Sequence, residues 1–272
     1  MNECVLDAIN RPAWSKRSAR RQLGAGSGFV DAGEAAGLSH VTRELRRRPI
    51  LDLGIGTGRT VPLLMPLTDD YRAVDYLPAM VEACRRAHPG VSVQLGDARD
   101  LRGFPEGHFG LVCFSYNGID AVSHEDRRRV FRAVRRVLAA DGTFLFSTLN
   151  LAGPSYRERP WRVRIWGRRS PHRVALSVAR QAVGLPRSLS NWLRIRRLAV
   201  EGDGYAVAPL SAHRFALLVH YTTLARQRDE LREEGFDPDS PAFDSVRGGR
   251  VDARSDTSRV DWFTIAARRA AG

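Results

Sequence analysis

A glycine-rich turn is the feature of this sequence with the clearest chemical meaning. Residues 50–60 read ILDLGIGTGRT, so an apolar strand runs into Gly54, Gly56 and Gly58 and then into a helix. Glycine permits a positive φ and lacks the Cβ that would collide with a bound group, while a helix N-terminus attracts negative charge. The turn is therefore predicted to lie directly against a ligand.

The spacing of the glycines limits the choice of ligand. A dinucleotide-binding turn has the form GxGxxG, but its last glycine would fall at Arg59, and the third glycine here is Gly58. A P-loop ends in Gly-Lys-Ser or Gly-Lys-Thr, whereas Lys16 is the only lysine of the chain. Dinucleotides and nucleoside triphosphates are disfavoured, and a tight turn without a ligand is the plain alternative.

Two aspartates end the strands that follow the turn. Asp75 closes YRAVD, where a carboxylate accepts hydrogen bonds from both hydroxyls of a ribose; a helix N-cap is the alternative role. Asp97 closes the next strand in QLGDARDL, and the small Ala98 leaves its backbone N–H accessible. A carboxylate beside a backbone donor matches the amine and ring nitrogen of an adenine, a role for which Asp100 is the weaker candidate.

These residues need a parallel sheet to position them, and residues 49–150 alternate short apolar runs with amphipathic stretches as such a sheet requires. The predicted strands are 49–53, 71–75, 91–95, 109–115 and 142–149, and the predicted helices are 58–66, 78–87 and 124–139. Ser123 with Asp126 predicts the N-terminal cap of the third helix, and Gly142 predicts its left-handed C-terminal cap.

The flanking segments follow other patterns. A helix over 31–48 makes residues 1–48 a helical flank or lid, and residues 151–221 form an insertion after the fifth strand, rich in arginine and tryptophan. From residue 222 the α/β pattern returns, with a helix to Glu234 capped by Gly235, a strand near 242–246 and a last strand at 260–267.

Four motifs in order, ILDLGIGTGRT, the strand-ending Asp75, GDARDL and RRVLAADGTFLFST, resemble the class I S-adenosylmethionine-dependent methyltransferases. The resemblance covers residues 49–150 strongly and 222–268 in outline, and these two stretches form the expected methyltransferase core. It implies an α/β fold with a Rossmann-like, mostly parallel sheet of seven strands, helices on both faces and an antiparallel last strand. It also implies S-adenosylmethionine as the cofactor, lying across the carboxyl ends of the strands.

The resemblance further implies which residues contact the cofactor. The glycine turn contacts the methionine part, Asp75 holds the ribose, and Asp97 with Ala98 binds the adenine. The full expected set is Asp52, Gly54, Gly56, Thr57, Gly58, Asp75, Tyr76, Asp97, Ala98, Phe114 and Ser115. The sequence FSYNGID, residues 114–120, follows the fourth strand and is expected to line the methyl-transfer cavity.

The methyl group of a sulfonium is already activated by its positive charge. The protein then has to hold a nucleophile in line at about 3–3.5 Å and to exclude water. A protonated nucleophile also needs a base, and histidine or tyrosine can serve. By position Tyr116, His220 and Tyr221 are the catalytic candidates, behind which come His124 and His213, and none has a decisive local motif. The sequence indicates no metal site.

The formal charge of +13 is concentrated in residues 151–200, which hold twelve arginines and one acid, Glu158. Arginine binds anions bidentately and stacks on rings, so the insertion is expected to bind an anionic or carrier-bound small-molecule acceptor. The arginines and tryptophans concerned are Arg157, Arg159, Arg162, Arg164, Arg168 and Arg169 with Trp161 and Trp166. The alternatives are a solvated pair of helices, a nucleic-acid-binding patch, and a segment over 172–199 that lies on an anionic membrane or a partner protein.

The sequence therefore predicts a methyltransferase that modifies an oxygen or nitrogen of a small anionic metabolite or natural product, as in secondary metabolism. An RNA or DNA methyltransferase is the enzymatic alternative, and a cofactor-binding relative without methyl transfer is the other. Three cysteines without a CxxC pair, no apolar run near the ~20 residues of a membrane span, and an acidic, proline-containing start favour a cytoplasmic protein. A homodimer is compatible with the sequence.

Overall fold

The structure, a computed structural model, describes residues 3–15, 29–162 and 171–270, and every element named below lies in those ranges. The helices are α1 Glu3–Trp14, α2 Ala32–Leu45, α3 Val61–Leu64, α4 Pro78–Ala87, α5 His124–Val137, α6 Pro171–Ile195 and α7 Leu224–Glu233. The strands are β1 Ile50–Leu53, β2 Tyr71–Asp75, β3 Ser92–Leu95, β4 Phe109–Phe114, β5 Leu138–Leu149, β6 Val200–Gly202, β7 Tyr205–Leu210, β8 Leu217–Thr222, β9 Ala242–Asp244, β10 Arg250–Val251 and β11 Trp262–Arg268.

The main sheet has the strand order β10-β9-β11-β5-β4-β1-β2-β3. Strands β1 to β5 pair in parallel, and β11 runs antiparallel to β5 from Trp262 opposite Leu149 to Arg268 opposite Thr143. The predicted Rossmann-like sheet with an antiparallel last strand is thereby confirmed. The sheet has eight strands instead of seven because the two-residue β10 adds an antiparallel edge pair to β9.

Helices cover both faces of this sheet, so the central strands β1 and β4 are buried along their whole length. On one face Val130 and Val134 of α5 and Leu231 of α7 pack against the strands. On the other face Val41 of α2 and Val81 of α4 do the same. From β1 the chain continues to β2 and β3 on one side and then crosses to β4 and β5 on the other. Open α/β sheets bind ligands at such a switch point, at the carboxyl ends of the strands.

The predicted helix over 31–48 is α2, and it is part of the packed core. Asp31 caps it, since Asp31 Oδ1 accepts a hydrogen bond from the Glu34 N–H at 3.0 Å. Gly37 lies so close to β11 that an added Cβ would come within 2.8 Å of the Thr264 side chain. This helix therefore packs on the sheet and is more than a peripheral lid.

Helix α1 was not predicted from the sequence. Leu6, Asn10 and Ala13 are buried on one side of it, but Pro12 interrupts the pattern and hides it in a polar stretch. Asn10 fixes the helix to β8, because its side chain exchanges two hydrogen bonds, of 2.7 and 3.1 Å, with the backbone of Leu218.

Two helix boundaries differ from prediction. The helix expected over 58–66 is only α3, followed by a 3₁₀ turn at Met65–Leu67, because Pro66 has no N–H to continue the α-helical hydrogen bonds. The predicted cap at Gly142 is wrong: α5 ends at Val137 and β5 begins at once, and Gly142 does not have a positive φ. A Cβ there would come within 2.8 Å of the Phe109 carbonyl oxygen, so close approach explains this glycine.

The caps predicted at Ser123 and Gly235 are confirmed. The Ser123 hydroxyl accepts a hydrogen bond from the Asp126 N–H at 3.1 Å, and Gly235 has a φ of +78°.

A long helix and a second sheet occupy the insertion. Helix α6 has 25 residues, and β6, β7 and β8 form a separate antiparallel sheet. Of the arginines and tryptophans singled out in the sequence, Arg164, Trp166, Arg168 and Arg169 lie outside the described residues.

No helix in the described ranges is long and apolar enough to cross a membrane.

The buried Arg127 joins three parts of the core. Its guanidinium donates to Asp120 at 2.5 Å, to Gln227 at 2.6 Å and to Glu230 at 3.2 Å, and all four side chains are buried. Asp120 also accepts a hydrogen bond from the Leu149 N–H of β5 at 2.6 Å. One cation therefore ties the turn after β4 to β5 and to α7.

Replacement of Arg127 by methionine is expected to lower the free energy of unfolding by about 3–5 kcal/mol, because it leaves the carboxylates of Asp120 and Glu230 buried without their partner. Arg232→Met is the matched control, since the Arg232 side chain is 63% exposed and pairs with Asp229, which is 51% exposed. Its loss is expected to stay below about 1 kcal/mol. Urea denaturation measures both, and equal losses would contradict a structural role specific to Arg127.

Candidate active site

The glycine turn has the backbone that the sequence predicted. Gly54, Gly56 and Gly58 have φ values of +61°, +57° and +93°. A Cβ on Gly54 would come within 2.7 Å of the Phe114 ring, and one on Gly58 within 2.4 Å of the His88 ring. Two of the three glycines are therefore already required by packing within the protein, before any ligand is considered.

Asp75 holds this turn against the end of β2. Its Oδ2 accepts the Gly56 N–H and its Oδ1 accepts the Leu77 N–H, both at 2.9 Å. The N-cap of α4 is Leu77, so the alternative role of Asp75 as a helix cap is not what the structure shows. Burial raises the pKa of Asp75, which is 5% exposed.

Asp52 supports the same turn from the interior. Its Oδ2 accepts hydrogen bonds from the Thr60 hydroxyl at 2.5 Å and the Tyr71 hydroxyl at 2.7 Å. Burial raises the pKa of Asp52 to about 6, against the opposing effect of these two donors. Asp52 is 1% exposed, so it positions the turn, and Thr57 is also buried within it.

An ion pair that the sequence did not reveal connects the turn to α2. Arg59 donates to both carboxylate oxygens of Glu34, at 2.7 and 2.8 Å, and to the Phe29 carbonyl at 2.6 Å. The Ser115 hydroxyl bonds to both Arg59 and Glu34, and the guanidinium lies 5.4 Å from the centre of the Tyr116 ring. In the sequence, Arg59 was noted only because it occupies the position of the last glycine of a GxGxxG turn. A buried arginine needs an acidic partner, and the sequence does not show where that acid lies.

The acid at the end of the third strand is held by an arginine two residues later. Arg99 donates to Asp97 from its backbone N–H at 2.9 Å and from its guanidinium at 2.6 and 3.0 Å. Arg99 also contacts Asp126 and, on α1, Asp7, each at 3.1 Å. Burial acts to raise the pKa of Asp97, but the bonds from Arg99 outweigh burial and the pKa is lowered.

The remaining residues expected around an adenine lie beside this cluster. Tyr76 follows Asp75, and Arg11 of α1 lies 4.9 Å from the centre of its ring. Ala98 is partly buried and packs against the core. Helix α1 therefore lies along the edge of the sheet at which the adenine was predicted.

The loop after β4 is held in an unusual backbone conformation. Tyr116 and Asn117 are consecutive left-handed residues, with φ values of +54° and +61°. The Asn117 N–H donates to the Ser147 hydroxyl at 2.7 Å, whereas its Oδ1 is buried without a hydrogen-bond partner in the described structure. The Tyr116 ring packs edge-on against Trp262 at 6.1 Å, and burial raises the pKa of its hydroxyl.

A cavity of about 700 Å³ begins at this loop and extends into the insertion. Its aromatic lining consists of Trp14, Tyr116, His213, Phe215 and Trp262. Its charged lining consists of Arg159, Arg162, Arg180, Arg214 and Glu158. Tyr116 and Trp262 thus line the cavity near the end of β4, whereas His213, Phe215 and most of the charged residues line it from the insertion.

The catalytic candidates lie in different places. Tyr116 lines the cavity, whereas His220 and Tyr221 are fully buried in β8 and do not. His220 bonds to His124 at 3.1 Å and stacks with it and Tyr205. Burial lowers the pKa of His220 well below its usual range and raises that of Tyr221. Phe215 and Val219 of the same stretch, FALLVHYT, line the cavity, whereas the side chains of the two candidates are packed inside the protein.

The structure therefore gathers most of the predicted site. The glycine turn, Asp75 and the loop from Phe114 to Asn117 lie together at the carboxyl ends of β1, β2 and β4, and Asp97 and Tyr76 lie beside β3.

Comparisons with known proteins agree with this arrangement. The methyltransferase domain family matches residues 50–142. YcgJ of Bacillus subtilis, described as an uncharacterized methyltransferase, is 35% identical over 120 residues, which is 42% of this chain and 46% of that protein. The aligned part thus spans about half the length of that curated relative.

Solved structures extend the similarity to the whole chain at lower identity. A 1,6-didemethyltoxoflavin-N1-methyltransferase from Burkholderia thailandensis, with bound 1,6-didemethyltoxoflavin and S-adenosylhomocysteine, has a TM-score of 0.60 at 13% identity, over 100% of this chain and 92% of its own. A TehB-like S-adenosylmethionine-dependent methyltransferase from Corynebacterium glutamicum has a TM-score of 0.55 at 14% identity, over 95% and 99%. At these identities the similarity shows the fold.

The recognition from the four motifs is confirmed where the family matches. Residues 50–142 match the methyltransferase domain family, and the described residues have the fold of solved S-adenosylmethionine-dependent methyltransferases.

Asp75→Ala is expected to weaken S-adenosylhomocysteine binding about tenfold or more, because charge-assisted hydrogen bonds contribute about 1.5–3 kcal/mol. Calorimetric titration measures the affinity, and a thermal melt checks that the variant is folded. The matched control is Asp100→Ala, since Asp100 is exposed and bonds to Arg102. Unchanged affinity in the folded Asp75 variant would rule out its assignment to the ribose.

Asp52→Asn tests the buried carboxyl below the turn. Because the pKa of Asp52 is raised from an ordinary 3.8 to about 6, its ionisation destabilises the folded state as pH rises through that window. The free energy of unfolding of the wild type should therefore fall relative to Asp52→Asn by on the order of 2 kcal/mol between pH 4 and 6. Denaturation in urea across this range measures the difference.

Asp69→Asn is the control for that pH series. Asp69 is exposed, and its hydrogen bond to Arg47 lowers its pKa, so the wild type should show no such fall relative to this variant. A flat difference for Asp52→Asn as well would mean that the carboxyl is ordinary.

Proposed function

We propose that this protein transfers the methyl group of S-adenosylmethionine to a small molecule bound in the cavity beside Tyr116. The observation that carries the proposal is the position of that cavity. It begins at the loop after β4, whose Phe114 packs on Gly54 of the glycine turn, so the expected cofactor site and the cavity share one wall. A volume of about 700 Å³ is also the size of a small-molecule site.

The residues at the strand ends fit S-adenosylmethionine. Each carboxylate oxygen of Asp75 accepts one backbone N–H, and each has a further lone pair for a ribose hydroxyl. Asp97 is kept ionised by Arg99, as an acceptor for an adenine amine must be. Tyr76 supplies a ring beside these two acids. The cofactor supplies an electrophilic methyl group, and the chain has to hold the acceptor against it.

The loop after β4 is suited to orient that acceptor. Asn117 Oδ1 is a buried hydrogen-bond acceptor with no partner among the described residues, and it belongs to a residue that lines the cavity. An acceptor N–H or O–H would satisfy it and would be fixed in line with the methyl group. Tyr116 is the one of the three catalytic candidates placed to take or relay a proton, whereas His220 and Tyr221 have no contact with the cavity.

The charged lining supports an anionic acceptor. Arg180 and Arg214 line the cavity, and no ion pair joins either of them to an acid in the described part of the chain. Arginine binds carboxylates and phosphates bidentately, and the aromatic lining supplies rings for stacking. O- or N-methylation of an anionic, ring-bearing or carrier-bound metabolite is the finer proposal, and methylation of a nucleic acid is the alternative.

Other parts of the proposal concern context. A role in secondary metabolism is supported by the Burkholderia structure, which holds 1,6-didemethyltoxoflavin, a small molecule. A cytoplasmic location is supported by Cys84 and Cys113, which are buried free thiols. A homodimer stays a prediction that light scattering tests directly.

Methyl transfer is tested by incubating the protein with S-adenosylmethionine and a panel of phenols and aromatic amines, each as a carboxylate and as its neutral carboxamide. Mass spectrometry follows the gain of one methyl group and the release of S-adenosylhomocysteine. The carboxylate member of a pair is expected to react faster. Methylation of RNA or DNA but of no small molecule would overturn the acceptor class, and S-adenosylhomocysteine binding without any transfer would leave a cofactor-binding protein.

The charged lining is tested by the double variant Arg180→Gln, Arg214→Gln. Loss of charge-assisted bonds of about 1.5–3 kcal/mol each should slow methylation of carboxylates about tenfold or more and leave the carboxamides unchanged. Arg187→Gln is the control, because Arg187 lies on the same helix α6 outside the cavity lining. An equal loss on both acceptor types would mean that the charged lining is structural.

A further inference from the structure

Helix α6 has an apolar face that no other described part of the chain covers. Leu176, Ala179, Val183, Pro186, Ser190 and Leu193 follow one another at three- and four-residue spacing, so they share one side of the helix; all six are exposed, and all but Ser190 are apolar. Val183 is 82% exposed, and Leu176 and Leu193 are each 51% exposed. These six residues are called the outer face of α6.

The opposite side of the same helix is in use. Ser177, Gln181, Gly184 and Ser188 line the cavity, and Ile195 is buried near its end. Small and polar residues thus face the protein, while several of the larger aliphatic side chains face outward. Single exposed apolar residues are ordinary, but a row of them along a helix marks a surface that binds something apolar.

The charge around the outer face is of one sign. Arg187 and Arg194 each lie one position beyond a residue of the face, and Arg197 follows at the end of the helix. Residues 159–200 contain no aspartate or glutamate. The surroundings of the face therefore attract anions and offer nothing to pair with a basic partner.

We propose that the outer face of α6 binds the surface of an anionic phospholipid bilayer, with the helix lying in the plane of the headgroups. Val183 and Leu193 would enter the boundary of the acyl chains, and Arg187 and Arg194 would contact phosphates, as in other amphipathic helices that lie on membranes. The same helix would then border the cavity on one side and the lipid on the other.

Two other occupants fit the face less well. A second copy of the chain related by a twofold axis would set the arginines of one helix against those of the other, without an acid in residues 159–200 to pair with them. A nucleic acid binds through phosphate contacts to polar and basic side chains, and an apolar row at the centre of the surface has no counterpart in it.

Flotation of the full-length protein with lipid vesicles tests the proposal without any methyl-transfer assay, so it can fail while the proposed function stands. Vesicles of phosphatidylcholine with phosphatidylglycerol are compared with vesicles of phosphatidylcholine alone, at low and high salt. The protein is expected to float with the anionic vesicles at low salt and to be released at high salt. No binding to the anionic vesicles, or equal binding to both kinds, would overturn the proposal.

Variants of the outer face distinguish lipid binding through this face from nonspecific adsorption of the protein to vesicles. Val183→Asp with Leu193→Asp should weaken binding to anionic vesicles about tenfold or more. Val246→Asp is the matched control, because Val246 is 59% exposed on another part of the surface, and it should bind as the wild type does. Equal binding by all three proteins would contradict the role of the face.

A second pair of changes keeps the test decisive if the aspartate variant does not fold. Arg187→Gln with Arg194→Gln leaves the apolar row intact and should weaken binding and reduce its salt dependence. Light scattering of the wild type and of the aspartate variant completes the series. A wild-type dimer that the aspartate changes split into monomers would assign the face to a second copy and overturn the proposal.

Discussion

A guanidinium that cannot lose its charge is buried in the middle of this protein, and the arrangement around it follows from that constraint. Arg127 is fully buried, so carboxylates must come to it, and they come from the turn after β4 and from α7. Replacing such a cluster by apolar residues costs little in principle, whereas removing one member costs much. The cluster therefore specifies where the loop carrying Tyr116 and Asn117 lies, more than it adds to stability.

A second buried arginine does the same for the other side of the site. Arg59, which follows the glycine turn, forms an ion pair with Glu34 of α2. This ion pair and the Ser115 hydroxyl join α2, the turn and the end of β4. Asp75 joins β2 to the same turn through backbone N–H groups. The wall shared by the expected cofactor site and the cavity is thus held by charges that are paired inside the protein, which keeps it pre-organised.

The local parts of this arrangement were predictable from the sequence, and the long-range parts were not. The positions of the strands, the positive φ values of the turn and the caps at Ser123 and Gly235 follow from short patterns of residue type, whereas the antiparallel last strand was implied by the family resemblance. Glu34 lies 25 residues from Arg59, and Gln227 and Glu230 lie 100 and 103 residues from Arg127, and no spacing rule connects them. His220 was a catalytic candidate because it lies near the end of a strand that precedes a helix. Its burial depends on the elements that pack against β8, which the local sequence does not show.

Helix α1 contacts both halves of the molecule at once. Asp7 and Arg11 reach Arg99 and Tyr76 at the edge of the sheet, while Asn10 is bound to β8 of the insertion. Any ligand that moves this helix from one side therefore acts on the other side through the same element. Where two ligands are coupled in this way, thermodynamic linkage requires each to change the affinity for the other by the same factor.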